Sequence, residues 1–141
     1  MTLQQGKAPA FCWPVRVYYE DTDSAGVVYY ANYLRYLERA RTEWLRAVGF
    51  EQTDLAAQHG VVFVVRALAI EYLKPALFND ELGISVELAR VGASLIVVKQ
   101  CATRGKDVLA SAEVKIACVK ISEFKPVRIP QQLLEKIRTT T

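Results

Sequence analysis

One segment with helical periodicity stands among several long alternating segments, and this contrast restricts the fold more than any other feature. Apolar side chains recur every three or four positions between residues 32 and 48, which predicts one amphipathic α-helix. These apolar positions are Tyr33, Leu34, Leu37, Ala40, Trp44, Leu45 and Val48. We expect Asn32 to cap the N-terminus of this helix and Gly49 to end it, since these residue types favour those positions.

Alternation of apolar and polar residues predicts strands in most of the remaining chain. The predicted strands cover residues 15–19, 61–75 (one long strand that ends at Pro75), 82–89, 94–103 and 108–120, and a short helix or irregular connection covers residues 51–60. A sheet built from these strands has a face that must be covered, and only one long apolar helix is available to cover it. The predicted fold class is therefore α+β, with an antiparallel sheet wrapped around one long central helix. Its exposed strand edges favour pairing with a second copy of the chain.

Length and composition indicate one domain and exclude several classes of partner. Because 52% of the 141 residues are hydrophobic, we expect a single domain over residues 1–141, with a flexible lead-in over 1–13 and a short C-terminal helix over 130–138. The start of the chain lacks the pattern of a secretory signal, and no apolar stretch approaches the roughly 20 residues of a membrane-spanning helix. The net charge of +3 is too small and too dispersed to indicate nucleic-acid binding. These features predict a cytoplasmic protein without membrane insertion.

No group of residues has the spacing of a metal site. Cys12, Cys101 and Cys118 are scattered through the chain, and the single histidine, His59, lies in a polar connection. Scattered cysteines in odd number are typical of free thiols in a reducing compartment. A pair of aspartates can hold Mg²⁺ in some enzymes, but no further carboxylate cluster accompanies such a pair here. We therefore expect neither a metal nor another cofactor.

Two aspartates one residue apart lie shortly before the predicted helix. Asp21 and Asp23 are followed by Gly26 in the run DTDSAG, and apolar and aromatic residues flank this run on both sides. A structural interpretation is available, because aspartates often serve as turn and cap residues and Gly26 permits a positive φ. A chemical interpretation is also available. The N–H groups and the dipole of a helix N-terminus can stabilise an oxyanion, and an ionised aspartate can attack a carbonyl or activate water.

The run YEDTDSAGVVYYANY at residues 19–33, followed by ERARTE at 38–43 and YLKPA at 72–76, resembles the signature of hot-dog-fold acyl-CoA thioesterases. The resemblance extends to the YbgC-like branch, which is related to 4-hydroxybenzoyl-CoA thioesterase. It implies a hot-dog fold, metal-free hydrolysis of an acyl-CoA thioester to the free acid and CoA, and dimers that often pair into homotetramers. It also implies that the second aspartate of the pair, Asp23, is the catalytic residue.

Four further positions are expected to contact the substrate if this resemblance is followed: Gly26, Tyr30, Asn32 and, from the partner subunit, Phe63. The backbone N–H of Tyr30 is expected to reach the thioester carbonyl while its side chain lines the acyl pocket. YbgC-like proteins commonly have histidine at the position of Tyr30, whereas the 4-hydroxybenzoyl-CoA branch has tyrosine. Since no second base is evident without that histidine, we favour Asp23 as a general base over Asp23 as a nucleophile.

Other functions and other catalytic groups are alternatives. A non-catalytic module that binds acyl-CoA or acyl carrier protein would have no need of Asp23, and a hydratase usually pairs a histidine with a carboxylate. Another hot-dog branch uses a helix glutamate, which makes Glu38 and Glu43 candidates, although exposure to solvent or pairing with neighbouring arginines explains them better. The sequence leaves open the length and the aromatic or aliphatic character of the acyl group, and whether CoA or a carrier protein donates it. It also leaves open a dimer or a tetramer, and the basic residues that hold the CoA phosphates.

Overall fold

The computed structural model describes residues 11–140 of the chain. This part contains six strands and three α-helices. In chain order the elements are β1 (Phe11–Arg16), a 3₁₀ turn (Tyr19–Asp21), α1 (Asn32–Val48), α2 (Gln52–His59), β2 (Val61–Tyr72), β3 (Glu81–Val91), β4 (Leu95–Arg104), β5 (Asp107–Lys120), β6 (Lys125–Pro126) and α3 (Gln131–Thr140). No helix in this range is both long and apolar enough to span a bilayer.

The strands form one antiparallel sheet in the order β1-β3-β4-β5-β2, and the short β6 pairs with the end of β5. β1 and β2 are therefore the two edge strands of the described sheet. The register shifts between Val65 and Ala67 in β2 and between Leu88 and Arg90 in β3. Such bulges bend a strand and increase its twist, which lets these long strands curl.

α1 packs against β1, β3 and β4 and supplies the centre of the hydrophobic core. Its buried residues are Tyr33, Tyr36, Leu37, Ala40, Trp44, Leu45 and Val48. Gly49 ends the helix with a φ of 107°, and its N–H bonds back to the Arg46 carbonyl at 2.9 Å, as predicted for a glycine at this position. The predicted α+β fold, a curled antiparallel sheet around one long helix, is confirmed.

The start of the chain differs from its prediction. β1 spans Phe11–Arg16 and not residues 15–19, and residues 11–13, which we expected in a flexible lead-in, pair with β3. Residues 1–10 of that lead-in lie outside the described residues. The predicted strand is wrong in its second half because the Asp21 carboxylate accepts the N–H of Tyr18 at 2.9 Å. This side-chain bond bends the chain into the 3₁₀ turn instead of extending it.

The two other segments that were predicted as helical, residues 51–60 and 130–138, both contain a helix in the structure. Residues 51–60, expected as a short helix or an irregular connection, contain the two-turn helix α2. Residues 130–138 fall largely within α3, which continues to Thr140. Leu133, Leu134 and Ile137 are buried on the face of α3 that adjoins the core, so this helix is packed and not merely appended.

Candidate active site

The loop between β1 and α1 is tied to the start of the helix by Asp21. The carbonyl oxygen of Asp21 accepts the N–H of Tyr29 at 3.0 Å and the side-chain Nδ2 of Asn32 at 2.9 Å. The N-cap of α1 is Ala31, which offers no side-chain bond. The prediction that Asn32 caps the helix is therefore wrong, because its amide is a donor to the loop.

Asp23 lies at the tip of this loop, in a tight turn closed by hydrogen bonds. Its N–H donates to the Val27 carbonyl at 2.9 Å, and its carbonyl accepts the N–H of Gly26 at 3.0 Å. Its Oδ1 accepts the N–H of Ala25 at 2.8 Å. The turn needs the φ of 83° at Gly26, a left-handed conformation that glycine adopts without penalty. One carboxylate oxygen thus serves the turn, while Oδ2 has no partner among residues 11–140.

The apolar residues that flank Asp23 in the sequence do not enclose its side chain within a single chain. Asp23 is exposed to solvent, whereas Val28 is buried beneath the loop and Val27 is half-buried. Residues 11–140 of one chain therefore do not form the desolvated carboxylate site that the flanking residues suggest. A bound substrate or a second subunit could provide that enclosure.

Two backbone N–H groups at the start of α1 are free. The N–H groups of Asn32, Tyr33 and Leu34 donate to carbonyls three residues earlier, at 2.8, 3.3 and 3.2 Å. The N–H groups of Tyr30 and Ala31 have no hydrogen-bond partner within the described chain. Such free donors at a helix start are the groups that can bind a carbonyl oxygen and stabilise an oxyanion.

A cluster of tyrosines forms a pocket beside these donors. Tyr72 Oη donates to the carbonyl oxygen of Tyr30 at 3.2 Å, and the Tyr72 ring centroid lies 6.0 Å from that of Tyr30 and 5.3 Å from that of Tyr33. Burial raises the pKa of Tyr33 and of Tyr72, so both phenols stay neutral at physiological pH. The pocket has a volume of about 240 Å³ and is lined by Val28, Tyr30, Tyr33, Tyr72, Leu73, Lys74 and Pro75.

Phe63 lies elsewhere in the protomer, in a second cavity of about 330 Å³ between α1, α2 and β2. The apolar part of this cavity's lining includes Trp44, Leu45, Phe63, Val65, Ile96 and Ile116. The single chain therefore links Gly26, Tyr30 and Asn32 to the loop of Asp23, but it does not bring Phe63 to that loop.

The two helix glutamates have different surroundings. Glu43 forms an ion pair with Arg46 at 2.7 Å, and Arg46 also contacts Glu51 at 2.9 Å. The ion-pair explanation therefore holds for Glu43. Glu38 forms no ion pair among the described residues, and its side chain lines the cavity that contains Phe63.

The described residues offer carboxylate and N–H chemistry at the loop. Within residues 11–140, no three His, Cys, Asp or Glu side chains are grouped so that they could bind a metal ion. The three cysteines are free thiols, and burial raises the pKa of Cys118 to about 11. The groups that can act on a substrate at the loop are thus Asp23 Oδ2 and the N–H groups of Tyr30 and Ala31.

Tyr72 is a site residue that the sequence did not single out. It lies 42 positions after Tyr30 in the chain, and only the fold brings the two together. The run YLKPA, which begins with Tyr72 and is part of the resemblance to hot-dog-fold thioesterases, could have pointed to this residue.

The fold and this loop define a known class of protein. The chain belongs to the thioesterase-like superfamily, whose family model matches residues 17–137. This range contains the Asp23 loop, α1 and strands β2 to β6. The expected hot-dog fold is confirmed by this match and by the structural similarity to a solved thioesterase given below.

Particular relatives include the acyl-CoA thioesterase YbgC of Haemophilus influenzae, which is 45% identical over 123 residues, 87% of this chain and 90% of that protein. The acyl-CoA thioester hydrolase YbgC of Escherichia coli O6:H1 is 43% identical over 129 residues, 91% of this chain and 96% of that protein. The crystal structure of a probable thioesterase from Bartonella henselae matches with a TM-score of 0.83 at 38% identity, covering 86% of this chain and 100% of that one. The resemblance to YbgC-like thioesterases is confirmed.

Proposed function

We propose that the protein hydrolyses acyl-CoA thioesters to a free acid and CoA, with Asp23 as the catalytic carboxylate. The central observation is the unpartnered Oδ2 of Asp23, because the loop that fixes it is bonded through Asp21 to the helix start with the free N–H groups of Tyr30 and Ala31. Relatives at 43% and 45% identity are named as acyl-CoA hydrolases, which supports the same activity here. A purely binding role is not favoured by these relatives.

Each group has a defined part in the proposed reaction. The N–H groups of Tyr30 and Ala31 donate to the thioester carbonyl oxygen and stabilise the negative charge that develops there during attack. Asp23 accepts a proton from a water molecule while the water oxygen bonds to the carbonyl carbon. The tetrahedral intermediate then collapses to the free acid and expels the thiolate of CoA, which takes the proton held by Asp23 and so regenerates the carboxylate. No step requires a metal ion.

The remainder of the site is proposed to come from a second copy of the chain. β2 is a 12-residue edge strand whose outer edge is unpaired among the described residues, and long exposed edges favour pairing. Antiparallel pairing of two β2 strands about an axis between Arg66 and Ala67 would place Phe63 of each chain opposite Ile70 of the other. The partner subunit's Phe63 and its cavity would then adjoin Tyr72 and Tyr30. The proposed assembly is this homodimer, and two such dimers would form the homotetramer that the resemblance implies.

The proposed substrate pool is cytoplasmic acyl-CoA. Free Cys12, Cys101 and Cys118 support a reducing compartment. Acyl carrier protein is a second proposed donor, because it presents its acyl group through the same type of thioester. A comparison of kcat/KM for one acyl group on CoA and on carrier protein decides between these donors.

The test of the proposed function is a matched pair of isosteric substitutions. Asp23→Asn keeps the Oδ1 acceptor of the turn but removes the base, so we expect kcat to fall by at least ~100-fold. Asp21→Asn keeps an oxygen that accepts the N–H of Tyr18, so its kcat should stay within about 10-fold of wild type. Both are measured as thiol release from short, long and aromatic acyl-CoAs.

Equal and small losses in the two variants would exclude Asp23 as the catalytic group. The same assay is run after dialysis against a chelator, and activity is expected to persist. A loss that an added divalent metal restores would contradict the metal-free reaction.

A further inference from the structure

Arg41 places a positive charge in the wall of an otherwise largely apolar cavity. It lies on α1 and lines the cavity of about 330 Å³ together with Leu45, Phe63 and Ile96. Arg41 forms no ion pair among the described residues, and its one hydrogen bond runs from Nη1 to Gln100 Oε1 at 3.0 Å. A guanidinium has five N–H donors, so most of those of Arg41 have no partner in the part of the chain that the structure describes.

Gln100 fixes the position of this guanidinium. Gln100 is fully buried on β4, and its Nε2 donates to the Leu37 carbonyl at 3.1 Å, which orients its Oε1 toward Arg41. Both ends of the amide are therefore used, one on the helix backbone and one on Arg41. Arg41 is carried by α1 and its partner Gln100 by β4. The hydrogen bond between them holds the guanidinium at the cavity wall.

The charge on Arg41 is only partly balanced. Burial lowers the pKa of Arg41 and the charge of Glu38 opposes this effect, yet an arginine stays protonated at physiological pH. Glu38 lines the same cavity but is exposed. A hydrocarbon that filled the cavity would displace water from the unused donors of Arg41 and leave them unpaired, which is unfavourable.

We infer that Arg41 is a specificity-determining residue that donates hydrogen bonds to a hydroxyl or carboxylate oxygen at the far end of the acyl group. The inference rests on the proposed function and on the proposed β2 pairing, which joins the cavity of one subunit to the Asp23 loop of the other. The preferred substrates are therefore acyl-CoAs that carry an oxygen acceptor several atoms from the thioester. Hydrocarbon acyl groups of equal length are poorer substrates.

The test compares hexanoyl-CoA with 6-hydroxyhexanoyl-CoA and adipoyl-CoA, which have the same chain length. The wild-type kcat/KM should be at least ~10-fold higher for one or both oxygen-bearing substrates than for hexanoyl-CoA, as expected for hydrogen bonds to a charged group. Arg41→Met should remove this preference by lowering kcat/KM for the oxygen-bearing substrates, and kcat/KM for hexanoyl-CoA should rise because its hydrocarbon no longer displaces water from unpaired donors. A preference for both substrates indicates any oxygen acceptor, and a preference for adipoyl-CoA alone indicates an anionic acyl group.

The control is Arg35→Met, the same change at an exposed position of α1 outside the cavity, which should keep the preference. Should Arg41→Met fail to fold in a thermal melt, Arg41→Lys retains the charge without the planar fork and should reduce the preference in part. Equal wild-type rates on all three substrates, or an equal loss on all three in the Arg41 variant, would overturn the role inferred for Arg41. Either result would leave the proposed thioesterase function intact. Absence of thiol release from every acyl-CoA would instead overturn the proposed function.

Discussion

Asn32 bonds through its side-chain amide to the loop that holds Asp23. The resemblance predicts it as a substrate contact, and that role remains a prediction. The structure gives its amide a protein partner, since Nδ2 donates to the Asp21 carbonyl at 2.9 Å. Because Asp21 lies two residues before Asp23, this bond fixes the base of the loop whose tip holds the carboxylate. Asn32 is therefore expected to act on Asp23 by positioning it.

Asn32→Ala removes this bond and leaves the N–H of Tyr29 as the remaining donor to the Asp21 carbonyl. We expect the free energy of unfolding to fall by about 1 kcal/mol, the usual contribution of one hydrogen bond. We also expect kcat to fall while KM changes little, because the substrate does not lose a contact. Denaturant unfolding and steady-state kinetics measure the two effects. A raised KM with an unchanged kcat would show that Asn32 binds the substrate directly.

The turn from Asp23 to Val27 depends on the backbone at Gly26 and not on space around it. A Cβ at Gly26 would meet no atom within 4 Å, so only the φ of 83° disfavours another residue. Gly105, in the turn between β4 and β5, has a φ of 61° and equally open surroundings. The two glycines therefore have the same conformational need, one in the Asp23 turn and one in the turn between β4 and β5.

Gly26→Ala and Gly105→Ala should each lower the free energy of unfolding by roughly 1–2 kcal/mol, the strain of a left-handed non-glycine residue. Only Gly26→Ala should also lower kcat, because the strained turn displaces the Asp23 carboxylate. Thermal unfolding and thiol release are measured on both variants. Comparable kcat values in the two variants would show that the geometry of the Gly26 turn does not affect catalysis. That result would contradict the role assigned to this loop.

The long periodic elements could be predicted from sequence because the side of a helix or strand that faces the core is apolar. The period of the apolar residues therefore reveals the type of element. α1 and β3 to β5 appear where apolar residues repeat with the period of a helix or a strand. Within α1 the pattern still misplaced one position, since Leu34 is exposed and Tyr36 is buried. Residue type alone does not tell which of two neighbouring apolar residues faces the sheet.

The predictions that were wrong or incomplete concern single side chains whose hydrogen bonds no periodic pattern records. The first strand ended early because of one bond from Tyr18 to Asp21, which competes with extension. The pairing of Arg41 with Gln100 joins residues 59 positions apart, and no local pattern records it. The motif nonetheless pointed to Asp23 and to the helix start, because its aspartates, its glycine and the helix are adjacent in the chain.

For the molecule as a whole, the free edge of β2 is the feature that a second copy would cover. Val65 on this strand is 47% exposed and lies close to the proposed axis. Val65→Lys would bring two like charges near each other across the axis, so we expect the dimer Kd to rise on the order of 10-fold. Val108→Lys makes the same change at a similarly exposed valine, 39%, on β5 and should leave the dimer intact.

Sedimentation across a dilution series measures both variants, and activity should fall together with the dimer fraction. A wild-type protein that stays monomeric and fully active at low micromolar concentration would contradict the proposed assembly.

The proposed pairing of two β2 edges also has a genetic consequence. If each active site combines the Asp23 carboxylate of one chain with the cavity of the other, then only the dimer is active and neither chain is active alone. A chain that lacks the Asp23 carboxylate still offers an intact cavity, and a chain with a blocked cavity still offers Asp23. Co-expression of these two inactive alleles would then produce mixed dimers with one complete site each, so two defective genes would restore in one cell what neither provides alone.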